Sequence, residues 1–278
     1  MKNNILYITY NNFPPLIKKK FSLKFNEKFS NNFIWDPKII KKKYKSLYWT
    51  VADYTKFFKK KNKNYKKLII KNKKRVQFPQ GWLKNGCMAW HPRIIYHSLI
   101  DLCKPNDILV YHDINFDKYP IYLKNFNFDR NFYSKIISNH SVVLFRDSYQ
   151  PLKAQCKNLL LQRFNLQKYK NLNGFWLGFI VVKNDSKGRR FIKKWCKLST
   201  INNLGPLPDT RESDHDFVYN TATQSTLSIL YYKEKKMREY IKVVYTPFRQ
   251  IFKFNFFYLR NIKAFLIIKY LELINMRL

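Results

Sequence analysis

NDILVYHDIN, residues 106–115, is the stretch whose reading decides the fold. Ile108, Leu109, Val110 and Tyr111 follow one another without a polar break, and the run stops at His112, Asp113 and Asn115. A short, continuously apolar segment rich in β-branched and aromatic residues is expected to be a strand buried on both faces, as in a parallel sheet covered by helices. Ligands of open α/β sheets collect at the carboxyl ends of such strands. Asp113, with Asn115 two positions on, is therefore a candidate metal or diphosphate site. Asp and Asn also make ordinary turns, and that plainer reading of the pair stands beside the first.

Working outward, residues 93–104 (RIIYHSLIDLCK) carry Ile94, Ile95, Leu99 and Leu102 at helical spacing and lead through a Pro-Asn-Asp turn into the strand, which gives half of a βαβ unit. Residues 5–9 (ILYIT) predict a first parallel strand whose polar end, with Thr9 and Asn11, points toward the same ligand crevice. Further strands are expected at residues 141–145 (SVVLF) and 174–183 (GFWLGFIVVK), and helices at 152–164, 186–198 and 222–232. Gly174 and Gly178 in the second of those strands mark either a bulge or a close approach of backbone to ligand. Residues 18–74, with their KKK runs and interleaved aromatics, read as a basic helical layer, and residues 116–131 as a turn and a short helix. Trp82 and Trp90, in the loop-like segment 75–92, are either binding elements or buried anchors.

Lys and Arg number 54 against 17 for Asp and Glu, a formal net charge of +37, while 46% of residues are apolar. The apolar fraction argues against a disordered chain, and the positive field of the net charge favours anionic partners such as phosphorylated substrates, anionic lipid or nucleic acid. Lys, Asn, Ile, Phe and Tyr are abundant together and Gly is scarce, so part of the charge reads as compositional bias. Cys87, Cys103, Cys156 and Cys196 form no CxxC pair, which argues against a zinc ribbon and for a reducing compartment. The five histidines show no HExxH spacing. No apolar run has signal-peptide or membrane-spanning character, and a cytoplasmic protein is expected. Residues 248–278 mix Arg and Lys with Phe, Ile and Leu, which suits either an interfacial helix on the inner face of an anionic membrane or a tail packed on the domain.

Three pieces together resemble the GT-A-type nucleotide-sugar-dependent glycosyltransferases, in particular small bacterial and viral enzymes of polysaccharide biosynthesis. They are GCMAWHPRIIYHSLIDLCKPNDILVYHDIN, similar to a Gly-aromatic loop, helix and strand ending in a DxD-like motif; GFWLGFIVVKNDSKGRRFIKKWCKL, similar to an acceptor-side strand and helix; and ATQSTLSILYYK, similar to a late acidic-Gln-Ser segment. The resemblance covers roughly residues 75–233 and implies a GT-A-like, mostly parallel α/β domain over residues 1–247 with a basic apolar tail over 248–278. It implies transfer of a sugar from a nucleotide-sugar donor to a glycan or lipid-linked acceptor. Nucleic acid is the less favoured partner.

Residue by residue, the resemblance places Asp113 and Asn115 at the metal and, with Thr9, Asn11, Trp90 and Gly178, at the nucleotide-sugar. Trp176 is a second stacking candidate. Mg²⁺ or Mn²⁺ is the implied ion, because hard cations neutralise a diphosphate leaving group through oxygen ligands. Asn115 stands where the family has a second carboxylate, so Asp117, or Lys and Arg side chains, would have to assist. Thr223 stands where an acidic residue precedes the Gln, so Gln224 becomes a sugar or acceptor contact. General-base work then falls to Asp214 or Asp216, with His215 between them. His112 is a metal or hydroxyl ligand, or packing beside the strand end.

Overall fold

The computed structural model describes residues 4–11, 15–43, 88–113, 130–204 and 221–245. Six strands form one sheet in the order β2-β1-β3-β5-β4-β6. They are β1 (Ile5–Tyr10), β2 (Asn32–Trp35), β3 (Ile108–His112), β4 (Val142–Pro151), β5 (Asn173–Lys183) and β6 (Ile241–Tyr245). Where a mostly parallel sheet is expected from the apolar runs, the sheet is mixed: β5 pairs antiparallel with both β3 and β4, whereas β1/β2, β1/β3 and β4/β6 are parallel. An apolar run buried on both faces has the same composition whichever way it points, so direction is set by the connections.

Helices cover both faces. On one side α1 (Pro15–Lys28) and α4 (Arg130–Ile137) bring Phe25, Phe29, Tyr133 and Ile137 against Ile5, Tyr7, Ile108, Val110 and Val181. On the other, α3 (Trp90–Asp101), α7 (Ser186–Leu198) and α9 (Thr223–Lys233) bring Trp90, Ile94, Phe191, Trp195 and Leu227 against Leu6, Ile8, Leu109, Tyr111 and Ile180. Odd residues of β1 and even residues of β3 face the first layer and the others the second, the pleat of strands covered on both sides.

The remaining described helices are short: α2 (Pro37–Lys43), α5 (Leu152–Gln155), α6 (Asn158–Arg163) and α8 (Ile201–Leu204). A single helix over 152–164 is expected, but the chain turns extended at Cys156 and Lys157. The Gln155 carbonyl accepts from the Thr221 N–H (2.9 Å) and the Ser225 hydroxyl (2.6 Å), so α9 takes the acceptor that helix continuation needs. β2, α4 and β6 are elements the sequence reading does not contain. Residues 44–87, 114–129 and 248–278 lie outside the described residues, and with them Trp82, the tail and any boundary near residue 247.

α7 illustrates how local sequence sets an element. Asp185 caps it, accepting from the Gly188 N–H (2.7 Å) and from the Ser141 hydroxyl (2.7 Å). Phe191, Ile192 and Trp195 form its buried stripe, and Lys187, Arg190, Lys193 and Lys197 stand exposed on the other side.

Candidate functional site

β1 sits between β2 and β3, and the helices on the way to these two neighbours pack on opposite faces. α1, between β1 and β2, packs on one layer, whereas α3, before β3, packs on the other. Open α/β sheets bind ligands at the carboxyl ends of the two strands at such a reversal, here β1 and β3. The register pairs Ile8 with Tyr111, which by extension sets Tyr10 level with Asp113.

Asp113 is half-buried, and its N–H donates to the Gly178 carbonyl (2.9 Å), so β5 holds the end of β3 in place. Its charge reaches the fully buried Tyr111 hydroxyl: burial first, then Asp113 and Tyr10, push that phenol well above its ordinary value. Tyr10 is raised as well, by burial and by Asp36. Asp36 is held down on balance: burial alone would raise it, but the Lys18 ammonium (2.6 Å) and the Ile39 N–H (2.8 Å) lower it.

Asn11 is buried and acts as a brace. Its N–H donates to the Trp35 carbonyl (2.8 Å), and its side-chain amide donates to the Lys18 carbonyl and the Ser22 hydroxyl (3.0 Å each), tying β1 to β2 and α1. Thr9 is fully buried one residue earlier, and alternation turns it to the α1 side. Trp90 opens α3, is only 4% exposed, and stacks on Tyr10 at 3.9 Å between ring centroids. His91 follows, 4.2 Å from the Tyr111 ring and 5.6 Å from Trp195.

His112 faces the other layer. It lies against Phe29 (5.2 Å) and Phe179 (4.5 Å), and Nε2 is 3.2 Å from the Tyr133 hydroxyl, so it is packing beside the strand end. Burial, aided by Lys28, lowers its pKa to about 3, and burial alone lowers that of His91 to about 3. Both imidazoles are therefore neutral at pH 7.

The glycines explain the other wall. β5 carries a bulge opposite β4: Leu144 pairs with Ile180 but Phe145 with Trp176. A Cβ on Gly178 would lie 2.0 Å from the Trp176 indole, which folds back over it, so this glycine serves the bulge beside Asp113. A Cβ on Gly174 would meet Gln155 Oε1 (2.8 Å) and Ser228 Oγ (2.9 Å), so that glycine lets α9 close on the strand. Gln224, in the first turn of α9, donates to Gln155 Oε1 at 3.1 Å. Ala222, just before the helix, has φ 50° and ψ −116°, a conformation costly for a residue with a Cβ.

Of the residues singled out from sequence, Asp113 and Gly178 meet at the end of β3, Trp90 stacks on Tyr10 at the end of β1, and Thr9 and Asn11 lie on the α1 side of that strand end. Gln224 is placed on α9, against Gln155. Asn115, Asp117, Asp214, His215 and Asp216 lie outside the described residues. Comparison of the chain with protein-family models, curated proteins and solved structures finds no match. Among the described residues no three His, Cys, Asp or Glu side chains gather as a metal cage. Asp113 is a half-buried carboxylate, the hard oxygen donor type that Mg²⁺ and Mn²⁺ take. Cys103, Cys156 and Cys196 are free thiols that burial pushes up to about 12, so they are inert at neutral pH. His91 Nδ1 and Nε2 and Tyr111 OH are buried without a hydrogen-bond partner, a feature that leaves no mark in composition.

Proposed function

We propose that the chain is a nucleotide-sugar-dependent glycosyltransferase of GT-A-like architecture, acting on a glycan or lipid-linked acceptor. The observation that supports this reading is Asp113, held by Gly178 at the carboxyl end of β3 beside the end of β1. A bound divalent cation supplies neutralisation of the diphosphate charge that builds as the glycosidic bond breaks. Asp113 would hold it, with Asn115 and Asp117 as further oxygen donors from the segment that follows. Asn11 and Trp90 keep the crevice wall rigid, one through α1 and the other through Tyr10. Gln224 orients the acceptor side, and Asp214 or Asp216 removes the acceptor proton.

The test is thermal stabilisation by a panel of nucleoside diphosphates and nucleotide-sugars, with and without Mn²⁺, followed by turnover. Asp113→Ala is expected to abolish metal-dependent stabilisation and to lower turnover at least ~100-fold, the scale of a lost electrostatic contact to the leaving group. Unchanged turnover in that variant would remove the assignment.

A second reading, a basic protein that binds polyanions without catalysis, is favoured by one observation, the exposed row of Lys187, Arg190, Lys193 and Lys197 on α7. It requires RNA or anionic vesicles to bind with a steep salt dependence. Weak binding at physiological salt would count against it.

A further inference from the structure

α1 is apolar on two opposite sides. Phe21 and Phe25 turn inward, Phe25 with no exposed surface, and pack against the sheet beside Phe29 and Tyr133. Leu16 and Leu23 turn outward, 87% and 50% exposed. Residues i, i+3, i+4 and i+7 of a helix share one face, so Lys19 and Lys20 stand between the two leucines on a stripe about 10 Å long. Both lysines are exposed, as is Lys24 beside them. The whole helix carries five lysines against one acidic residue, Glu27.

One leucine at a surface is ordinary, but two on a stripe with lysines between them make a face of mixed chemistry, and that chemistry selects its partner. The long segments 44–87 and 248–278 of the chain itself do not match it: both are strongly basic, with one acidic residue each, Asp53 and Glu272. Nucleic acid would pair with the lysines and leave the leucines in water. An anionic bilayer takes both, since its headgroups receive the ammonium groups and the boundary beneath them receives the leucines, with the lysine stems lying along apolar surface. The basic row on α7 makes the contrast, because no large apolar side chain is exposed beside it on that helix.

We infer that the outer face of α1, centred on Leu16, Lys19, Lys20 and Leu23, docks the protein on an anionic lipid surface, with the two leucines seated in the headgroup boundary. The orientation follows from the fold. α1 covers one side of the sheet, whereas α7 and the 3-10 turn Lys235–Tyr240 pack on the other through Trp195, Met237 and Tyr240, so these lie away from the bilayer. The docking needs nothing from Asp113 and stands whether or not the chain transfers sugars.

The experiment is co-sedimentation of the full chain with vesicles of phosphatidylcholine alone and of phosphatidylcholine mixed with phosphatidylglycerol. Binding is expected on the anionic vesicles and little on the neutral ones. Lys19→Gln together with Lys20→Gln is expected to lower partitioning roughly tenfold or more. Leu16→Gln together with Leu23→Gln is expected to lower it about tenfold. Neither pair should move the melting temperature, because all four side chains are exposed. Lys235→Gln together with Lys236→Gln removes the same charge from the opposite layer, beyond the Debye length of about 10 Å near 0.1 M salt, and is expected to leave partitioning within about twofold. Equal losses from the two lysine pairs would mean adhesion through net charge with no docked face, and would overturn the inference. So would absence of binding to anionic vesicles, or unchanged partitioning in both α1 pairs, which would put the contact elsewhere in the chain. A loss with the α1 lysines but none with the leucines would make the face a polyanion site, with single-stranded RNA as its probe, and would overturn lipid docking.

Discussion

His91 and His112 show how two identical side chains in adjoining layers carry different meanings. Both are buried and neutral with folded values near 3, against an ordinary 6.5, so in each case the unfolded chain takes up the proton first as pH falls. Their contribution to stability is complete above pH 6.5. It is lost downward toward pH 3, by about 1.4 kcal/mol per pH unit for each histidine. Urea unfolding between pH 7 and 4 is expected to show this slope, and His112→Phe, which keeps the packing against Phe29 and Phe179, is expected to remove about half of it. Asp113 and Asn11 were legible as residues because polar groups that end apolar runs stand at strand ends whatever the rest of the fold does. The orphaned nitrogens of His91 were not legible, since Trp-His-Pro reads the same whether its imidazole meets solvent, a partner or neither.

Among the elements, β3, β5, α7 and α9 were readable because each carries a long run or a clear stripe that only one local structure satisfies. β2 was not: its four residues bury only Trp35 fully, and a short edge strand has too few positions to show a period. The helix expected over 152–164 failed for a different reason, because its competitor, the Gln155 carbonyl bonded to α9, comes from about 70 residues away in sequence. At the start of α7 the fit is tight enough to test. A Cβ on Gly188 would lie 2.2 Å from the Lys183 carbonyl, a backbone atom with no rotamer to relieve it. Gly188→Ala is therefore expected to destabilise by about 1–3 kcal/mol, the scale of an overpacked site, measured by chemical denaturation. Asp185→Ala at the same turn removes the cap and is expected to cost about 1–2 kcal/mol. Neither change touches the crevice, so nucleotide affinity in the folded fraction should stay as it was.

For the whole molecule, a net charge of +37 on 278 residues sets the chain against itself. Self-repulsion is screened once the Debye length falls to about 10 Å near 0.1 M salt, so the melting temperature is expected to rise between ~10 mM and ~150 mM NaCl. A chain whose basic groups were already matched by internal carboxylates would show no such rise. A transmembrane route is not open to the described helices, none of which is long and apolar enough to cross a bilayer. The position of β5 has a further consequence during synthesis. β1, β2 and β3 can pair as soon as they emerge, but the strand that covers the free edge of β3, and joins it to β4 and β6, begins only at Asn173. Until then the nascent chain displays an unpaired, wholly apolar strand edge, the kind of template on which chains associate wrongly. A ribosome that stalls before residue 173 would release a fragment prone to stick to its neighbours, and one that stalls soon after residue 183 would release a fragment with that edge already closed.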